Sequence, residues 1–153
     1  MKQHMDTQHY SRLALMTALH FVTMYVLMYA MVDRFDNVYA SFNQVYMSAL
    51  MTSPMLIIEM LLMGAMYPKR TWNLVIAGAG VLVLIVAFIL IRQQTLIADK
   101  QFLRSMIPHH AGAILMAKEA PIQDPEIREL SQSIISSQQK EIDWMKAKLE
   151  KLD

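Results

Sequence analysis

The run Met106-Ile107-Pro108-His109-His110-Ala111-Gly112-Ala113-Ile114-Leu115-Met116-Ala117 decides how the rest of this chain is read. It places two adjacent histidines, a proline, two thioethers and several small residues within about three helical turns. Three long apolar segments precede it and one amphipathic segment follows. The apolar segments read as a membrane anchor, and the run reads as a soft-metal site outside that membrane.

Pro108 has no backbone N–H and clashes with the preceding turn. The helix is therefore expected to kink there, or to restart with Pro108 in its first turn. Either way His109 and His110 would stand near a helix N-terminus, where the dipole favours the neutral imidazole that binds metal. Met106 precedes His110 by four residues and Met116 follows His109 by seven, so each histidine has a thioether on its own face. Ala111, Gly112 and Ala113 would let a facing helix approach closely.

That facing helix is expected to start at Asp124, with Asp124 as N-cap, Pro125 in the first helical position and Glu126 in the first turn. It should run to Leu152, with Ile127, Leu130, Ile134, Ile142, Met145, Leu149 and Leu152 at helical spacing. Gln138 and Glu141 interrupt the stripe. Polar groups at core positions need partners, and orienting a histidine's second nitrogen is a natural one. Met145 can add a sulfur from this helix. The plain alternative is a buried His–Gln network that only holds the hairpin together.

The pattern D-x-x-F-x-x-x-M-I-P-H-H-x-x-A-x-x-M-A is carried by Asp99, Phe102, Met106, Ile107, Pro108, His109, His110, Ala113, Met116 and Ala117. It resembles domain-of-unknown-function family 305, to which copper-tolerance proteins of the CopM type belong. Ile134, Ile135, Gln138, Glu141, Ile142, Met145 and Leu149 fit the family's second helix. A tryptophan often found before the last leucine is Lys148 here, while Trp144 sits one turn earlier. The resemblance covers residues 95–150 and implies a ferritin-like helical bundle, often extracytoplasmic, that binds copper through His and Met. One hairpin is half of such a bundle, so the chain is expected to pair hairpins in a homo-oligomer outside the membrane.

Composition points the same way for the remainder. Of 153 residues 55% are hydrophobic and 18% charged, and nearly all the apolar mass lies before residue 92. A net charge of +1 gives no reason to expect nucleic acid as a partner. Cysteine is absent, which rules out thiolate ligands, disulfides and a Cys nucleophile. Fifteen methionines are several times an ordinary share. Thioethers prefer Cu(I) to hard cations, although methionine is also a flexible apolar filler.

Residues 1–12 read as a polar tail carrying His4, Met5 and His9. Residues 13–92 read as a three-helix membrane region with spans at 13–32, 45–66 and 74–91, each long enough for a hydrocarbon core of about 30 Å. A cleaved signal peptide is the rival for the first span, but that run is longer than an h-region and lacks a small-x-small cleavage site. Lys2, Arg12, Lys69 and Arg70 place the N-terminus and second loop on the cytoplasmic side. The hairpin, residues 93–153, would then be periplasmic or otherwise extracytoplasmic, on a bacterial-type inner (plasma) membrane. Between Ile91 and Ile107 no glycine or proline breaks the chain. The third helix is thus expected to continue toward Ile107, setting His109 about 27 Å past Ile91.

Two further patterns lie inside the spans. Met16, His20, Met24 and Met28 recur every four residues in the first, and Met47, Met51, Met55, Glu59 and Met63 in the second. Residues four apart share a helix face. In antiparallel helices His20 and Glu59 would sit at similar depth, with Met24 near Met55 and Met28 near Met51. An acid near the bilayer centre costs roughly 2.5–3.5 kcal/mol. Glu59 is expected either to bond His20 or a tyrosine, or to lie on an ion or metal path. Copper(I) importers resemble this half in pairing Met-x-x-x-Met with three spans, but their third-helix glycine pattern is missing here.

The sequence therefore describes an all-α membrane protein, three transmembrane helices followed by a hairpin that the family resemblance makes ferritin-like. Its expected function is copper handling without catalytic turnover, Cu(I) before Cu(II). His109, His110, Met106, Met116 and Met145 are the candidate ligands, supported by Gln138 and Glu141. The alternatives are a cation or Cu(I) transporter using His20, Met24, Met28, Met51, Met55 and Glu59, and a metal-free oligomerising scaffold. No Glu-x-x-His pair, nucleophile setting or phosphate loop supports an enzyme.

Overall fold

A backbone in lipid must satisfy its own polar groups, and a helix does so within one segment. Every long apolar run of this chain is accordingly helical. The computed structural model describes residues 2–152, with side chains from residue 8 onward. It contains α1 (Lys2–Leu27), α2 (Phe42–Leu62), α3 (Arg70–Gln93), α4 (Asp99–Glu119) and α5 (Pro125–Glu150), and no strand among the described residues. Short 3-10 turns occupy Met28–Met31, Phe35–Asn37 and Gly64–Met66. Three helical stretches are long and apolar enough to cross a membrane: Gln8–Met31, Phe42–Leu62 and Arg70–Gln93. The chain divides into two units, Met1–Leu27 with Val45–Thr95, and Met28–Gln44 with Leu96–Asp153.

In the first unit the helices turn large apolar side chains outward and keep small ones between them. Leu61, Leu62, Leu74 and Leu82 are exposed, while Ser48, Thr52, Ser53, Gly80 and Ala87 are buried. A Cβ on Gly80 would come within 3.0 Å of Ile57 Cγ1, so glycine lets α3 approach α2 closely. The stretch read as a tail is helical from Lys2 onward, although the side chains of His4 and Met5 lie outside the described residues. Tyr10 donates a hydrogen bond to Asn73 Oδ1 at 2.9 Å and accepts one from the Lys69 N–H at 3.3 Å. The second span ends at Leu62, earlier than the expected residue 66, because the chain tightens through Gly64–Met66 ahead of Pro68.

The expectation that the third helix continues to Ile107 is corrected: α3 stops at Gln93. Gln94 adopts the left-handed conformation at φ 50°, and the Thr95 and Gln94 N–H groups bond back to Leu90 and Ile91 carbonyls. This is a Schellman-type end formed without glycine. The left-handed residue costs about 1–2 kcal/mol, and the Gln94 side chain offsets part of that by donating to the Ile91 carbonyl at 2.7 Å. Leu96 is left-handed too, at φ 61°.

In the second unit α4 and α5 form an antiparallel hairpin, with Ala117 opposite Ser131 and His110 opposite Glu141. Ile107, Ala111, Ile114 and Ile142 are fully buried between them, with Leu103, Met145 and Leu149 closing the core. Asp124 caps α5 as expected, its Oδ1 accepting from the Glu126 and Ile127 N–H groups. The linker 28–44 packs on the same core through Val32 and Tyr39. Gly112, expected to admit α5, instead faces that linker, where the Met31 carbonyl lies 3.5 Å from a would-be Cβ.

Candidate metal site in the helical hairpin

Pro108 neither ends nor restarts the helix. It lies inside α4, which begins at Asp99, so both histidines are in mid-helix, away from the positive end of the helix dipole near which they were expected. Adjacent residues in a helix point about 100° apart, and the two rings diverge accordingly. His110 is buried against α5, whereas His109 faces solvent, with ring centroids 6.1 Å apart.

Both His110 nitrogens are engaged. Nδ1 lies 2.9 Å from the Met106 carbonyl oxygen, which can only accept, so Nδ1 carries a proton and donates it. Nε2 lies 2.7 Å from Glu141 Oε2. The carboxylate is more than half exposed while the imidazole is buried, so the pair runs from the core to its edge. An Nδ1 tied to a backbone carbonyl is how proteins orient Nε2 toward a metal or a proton.

A cavity of about 320 Å3 lies beside this pair, lined by Phe102, Leu103, Met106, His110, Lys140, Glu141, Trp144 and Met145. It brings together four of the seven candidate ligand and supporting residues: Met106, His110, Glu141 and Met145. It does not include His109 or Met116. Met116 instead lines a second groove of about 250 Å3 with Ile127, Leu130 and Ile134. Gln138 is half-buried, and its Oε1 has no hydrogen-bond partner. Among the described residues no three His, Asp or Glu side chains converge on one point. Any metal here would thus depend on thioethers. Lys140 and Trp144 were not foreseen as lining; Trp144 stands three residues after Glu141, and that helical spacing was the available signal.

The His, Met and Glu ladders of the apolar helices are less converged. Glu59 Oε1 accepts a hydrogen bond from Tyr67 at 3.0 Å, and no hydrogen bond or ion pair joins His20 to Glu59 among the described residues. Burial, followed by the bond to Glu59, pushes the Tyr67 hydroxyl up to about 12. Tyr67 also stacks at a tilt on Tyr10, centroids 5.4 Å apart. Met16, Met51 and Met63 are exposed, whereas Met24, Met28, Met47 and Met55 are half-buried.

Fold and site thus define a class: an all-helical protein with three helices able to span a membrane and a hairpin with a His/Met-lined cavity. Residues 90–149 match the family model described as a domain of unknown function, DUF305. An uncharacterized protein of Acanthamoeba polyphaga mimivirus is 37% identical over 110 residues, covering 71% of this chain and 70% of the viral one. The chain belongs to the DUF305 family. Residues 90–153 number only 64, so more than forty aligned positions precede residue 90, within the part that holds the apolar helices. No solved structure gives a significant match.

Proposed function

We propose that this chain is a membrane-anchored copper-binding protein whose hairpin holds copper, Cu(I) in preference to Cu(II), through His110, Met106 and Met145. The observation that carries the reading is the single cavity that gathers those three side chains, with His110 fixed by its Nδ1 bond and its Nε2 2.7 Å from Glu141, which also lines the cavity. Two thioethers and one imidazole suit a soft cation and suit hard cations poorly. Copper held by His110 would bind at Nε2, the ring nitrogen that now contacts Glu141. No catalytic turnover is part of this reading.

His109 and Met116 lie outside the cavity of one chain. They join the site only if a second copy packs on the exposed surface of Met116, Ile127 and Leu130. That surface is the half of the α5 stripe that α4 leaves uncovered. A homo-oligomer of hairpins would bury it, giving the ferritin-like bundle the family resemblance implies. The three apolar helices would anchor the hairpin in a bacterial-type plasma membrane, N-terminus inside and hairpin outside.

A second reading has its own observation. The His110–Glu141 contact satisfies both ring nitrogens without metal, so the pair can serve purely as a clasp in a metal-free oligomeric scaffold. The experiment is a Cu(I) titration of the detergent-solubilised full chain against a chromogenic chelator. His110→Ala and Met106→Leu should each weaken binding more than tenfold, and His109→Ala much less. Unchanged binding in His110→Ala, with loss of hairpin stability, would leave the clasp as the function of the pair.

A further inference from the structure

The three proposed ligands account for only part of the hairpin cavity. At about 320 Å3 it is far larger than the roughly 30 Å3 that one water occupies. A metal ion with three donors therefore leaves space beside it that is either wet or dry. That choice bears on oxidation state. Cu(II) favours tetragonal sets of nitrogen and oxygen, which water at an open site would complete, whereas Cu(I) favours soft sulfur donors. The apolar shell around a metal controls solvent access and, through it, the redox potential.

The register of the hairpin puts an indole at the level of the two sulfurs. His110 meets Glu141 across the helices. Met106 stands one turn before His110, and Trp144 and Met145 stand one turn after Glu141. In antiparallel helices these three share a level, and all three line the cavity. They differ in depth, for Met145 is 5% exposed and Trp144 63%. Met145 thus belongs to the cavity floor and Trp144 to its outer wall. Lys140 and Glu141 add opposite charges to the lining, and their fields on a cation oppose each other. Phe102 adds a ring from α4. Of the aromatic side chains tryptophan attracts a cation most strongly.

We infer that Trp144 sets the oxidation state of the metal in this cavity, favouring Cu(I) over Cu(II). Its indole keeps water from the outer side of the ion, which removes ligands that Cu(II) needs and Cu(I) does not. Its π-system also attracts the cation, and does so more strongly once water is excluded. Trp144 offers the metal no lone pair, so its part is selection, and capture stays with His110, Met106 and Met145. The inference rests on the copper reading of those three residues.

The test uses the detergent-solubilised full chain carrying Trp72→Phe, which leaves Trp144 as its one tryptophan. Ag(I) serves as a soft probe without redox chemistry, and Cu(I) and Cu(II) are each titrated against a competing chelator. Tryptophan emission should fall by more than half as Ag(I) saturates the site. Trp144→Leu, apolar but without a π-system, should weaken Cu(I) binding about three- to thirtyfold. It should leave Cu(II) affinity unchanged or raised, and bound Cu(I) should oxidise faster in air. Trp144→Phe should recover part of the Cu(I) affinity. No binding of Ag(I) or Cu(I) by the parent chain would remove the copper reading and this inference together. Binding with unaltered emission would overturn the role of Trp144 alone. So would a Trp144→Leu chain that keeps the parent's Cu(I) affinity, or that loses Cu(I) and Cu(II) affinity equally.

Discussion

The hairpin and the apolar-helix unit solve opposite burial problems. In the hairpin Ile107, Ile114 and Ile142 are sealed from solvent, and charged side chains such as Glu150 and Lys151 face outward. In the other unit many large apolar side chains, among them Leu61, Leu62, Leu74, Leu82 and Ile85, face outward, while Ser48, Thr52, Ser53 and Gly80 are buried. Water drives the first arrangement by removing apolar area from contact with it. Lipid tails are as apolar as leucine, so in a membrane, which its helices are long and apolar enough to cross, this unit would gain nothing by hiding leucine. It packs instead through small residues and close backbones. The same side chain therefore has a different energetic meaning in each unit.

The largest expected effect follows directly. Ile142→Ala leaves a hole in the sealed hairpin core and should cost about 2–5 kcal/mol. Ile85→Ala, at a side chain 48% exposed in α3, should stay within about 0.5 kcal/mol. Denaturant unfolding of the detergent-solubilised chain measures both. Equal losses would show that α3 is buried in some assembly and that the contrast between the units does not hold.

The next effect probes close backbone packing. A Cβ on Gly80 meets Ile57 at 3.0 Å and the Ser53 carbonyl at 3.6 Å, whereas a Cβ on Gly78 meets nothing within 4 Å. Gly80→Val should destabilise by about 1–3 kcal/mol through overpacking. Gly78→Val, two residues away, should be neutral or slightly stabilising because glycine is a poor helix former. Thermal aggregation of the two variants in the same detergent ranks them, and indistinguishable midpoints would mean that α2 and α3 do not pack through Gly80.

What the sequence made legible follows the same division. Long apolar runs with at most one acid announce helices able to cross a membrane whatever their neighbours, so the three apolar helices were readable to within a few residues. The α5 start was readable because Asp124, Pro125 and Glu126 act locally. The break at Gln94 was not, since a non-glycine residue in the left-handed region carries no composition signal. Pro108 misled for a related reason. The missing N–H frees one carbonyl, yet Ile107 and Ala111 on either side are fully buried, and that packing keeps α4 intact through the proline. Periodicity put a thioether on the face of each histidine. It could not show that His110 turns to Glu141 while His109 turns to solvent, because that depends on where α5 and the 28–44 linker lie against α4.

The smallest expected effects separate the units by pH. In the hairpin unit Lys146 donates to Asp36 Oδ2 at 2.8 Å. That bond, ahead of the charges of Lys146 and Arg34, holds the Asp36 carboxyl below its ordinary value. A lowered folded value means that the contribution is present above about 3.9 and is lost as pH falls through the folded value. In the other unit Tyr67 is pushed up to about 12, first by burial and then by its bond to Glu59. A raised folded value means that the contribution is present below about 10 and is lost as pH rises toward the folded value. Asp36→Asn should therefore flatten the acid limb of a stability–pH profile and leave the alkaline limb alone. Tyr67→Phe should do the reverse. The acid effect should be the weaker and should fade with added salt, because Asp36 is exposed and its pairing is screened. An acid limb unchanged in Asp36→Asn would show that the Lys146 pairing does not contribute to stability, and an alkaline limb unchanged in Tyr67→Phe would show the same of the Tyr67–Glu59 bond.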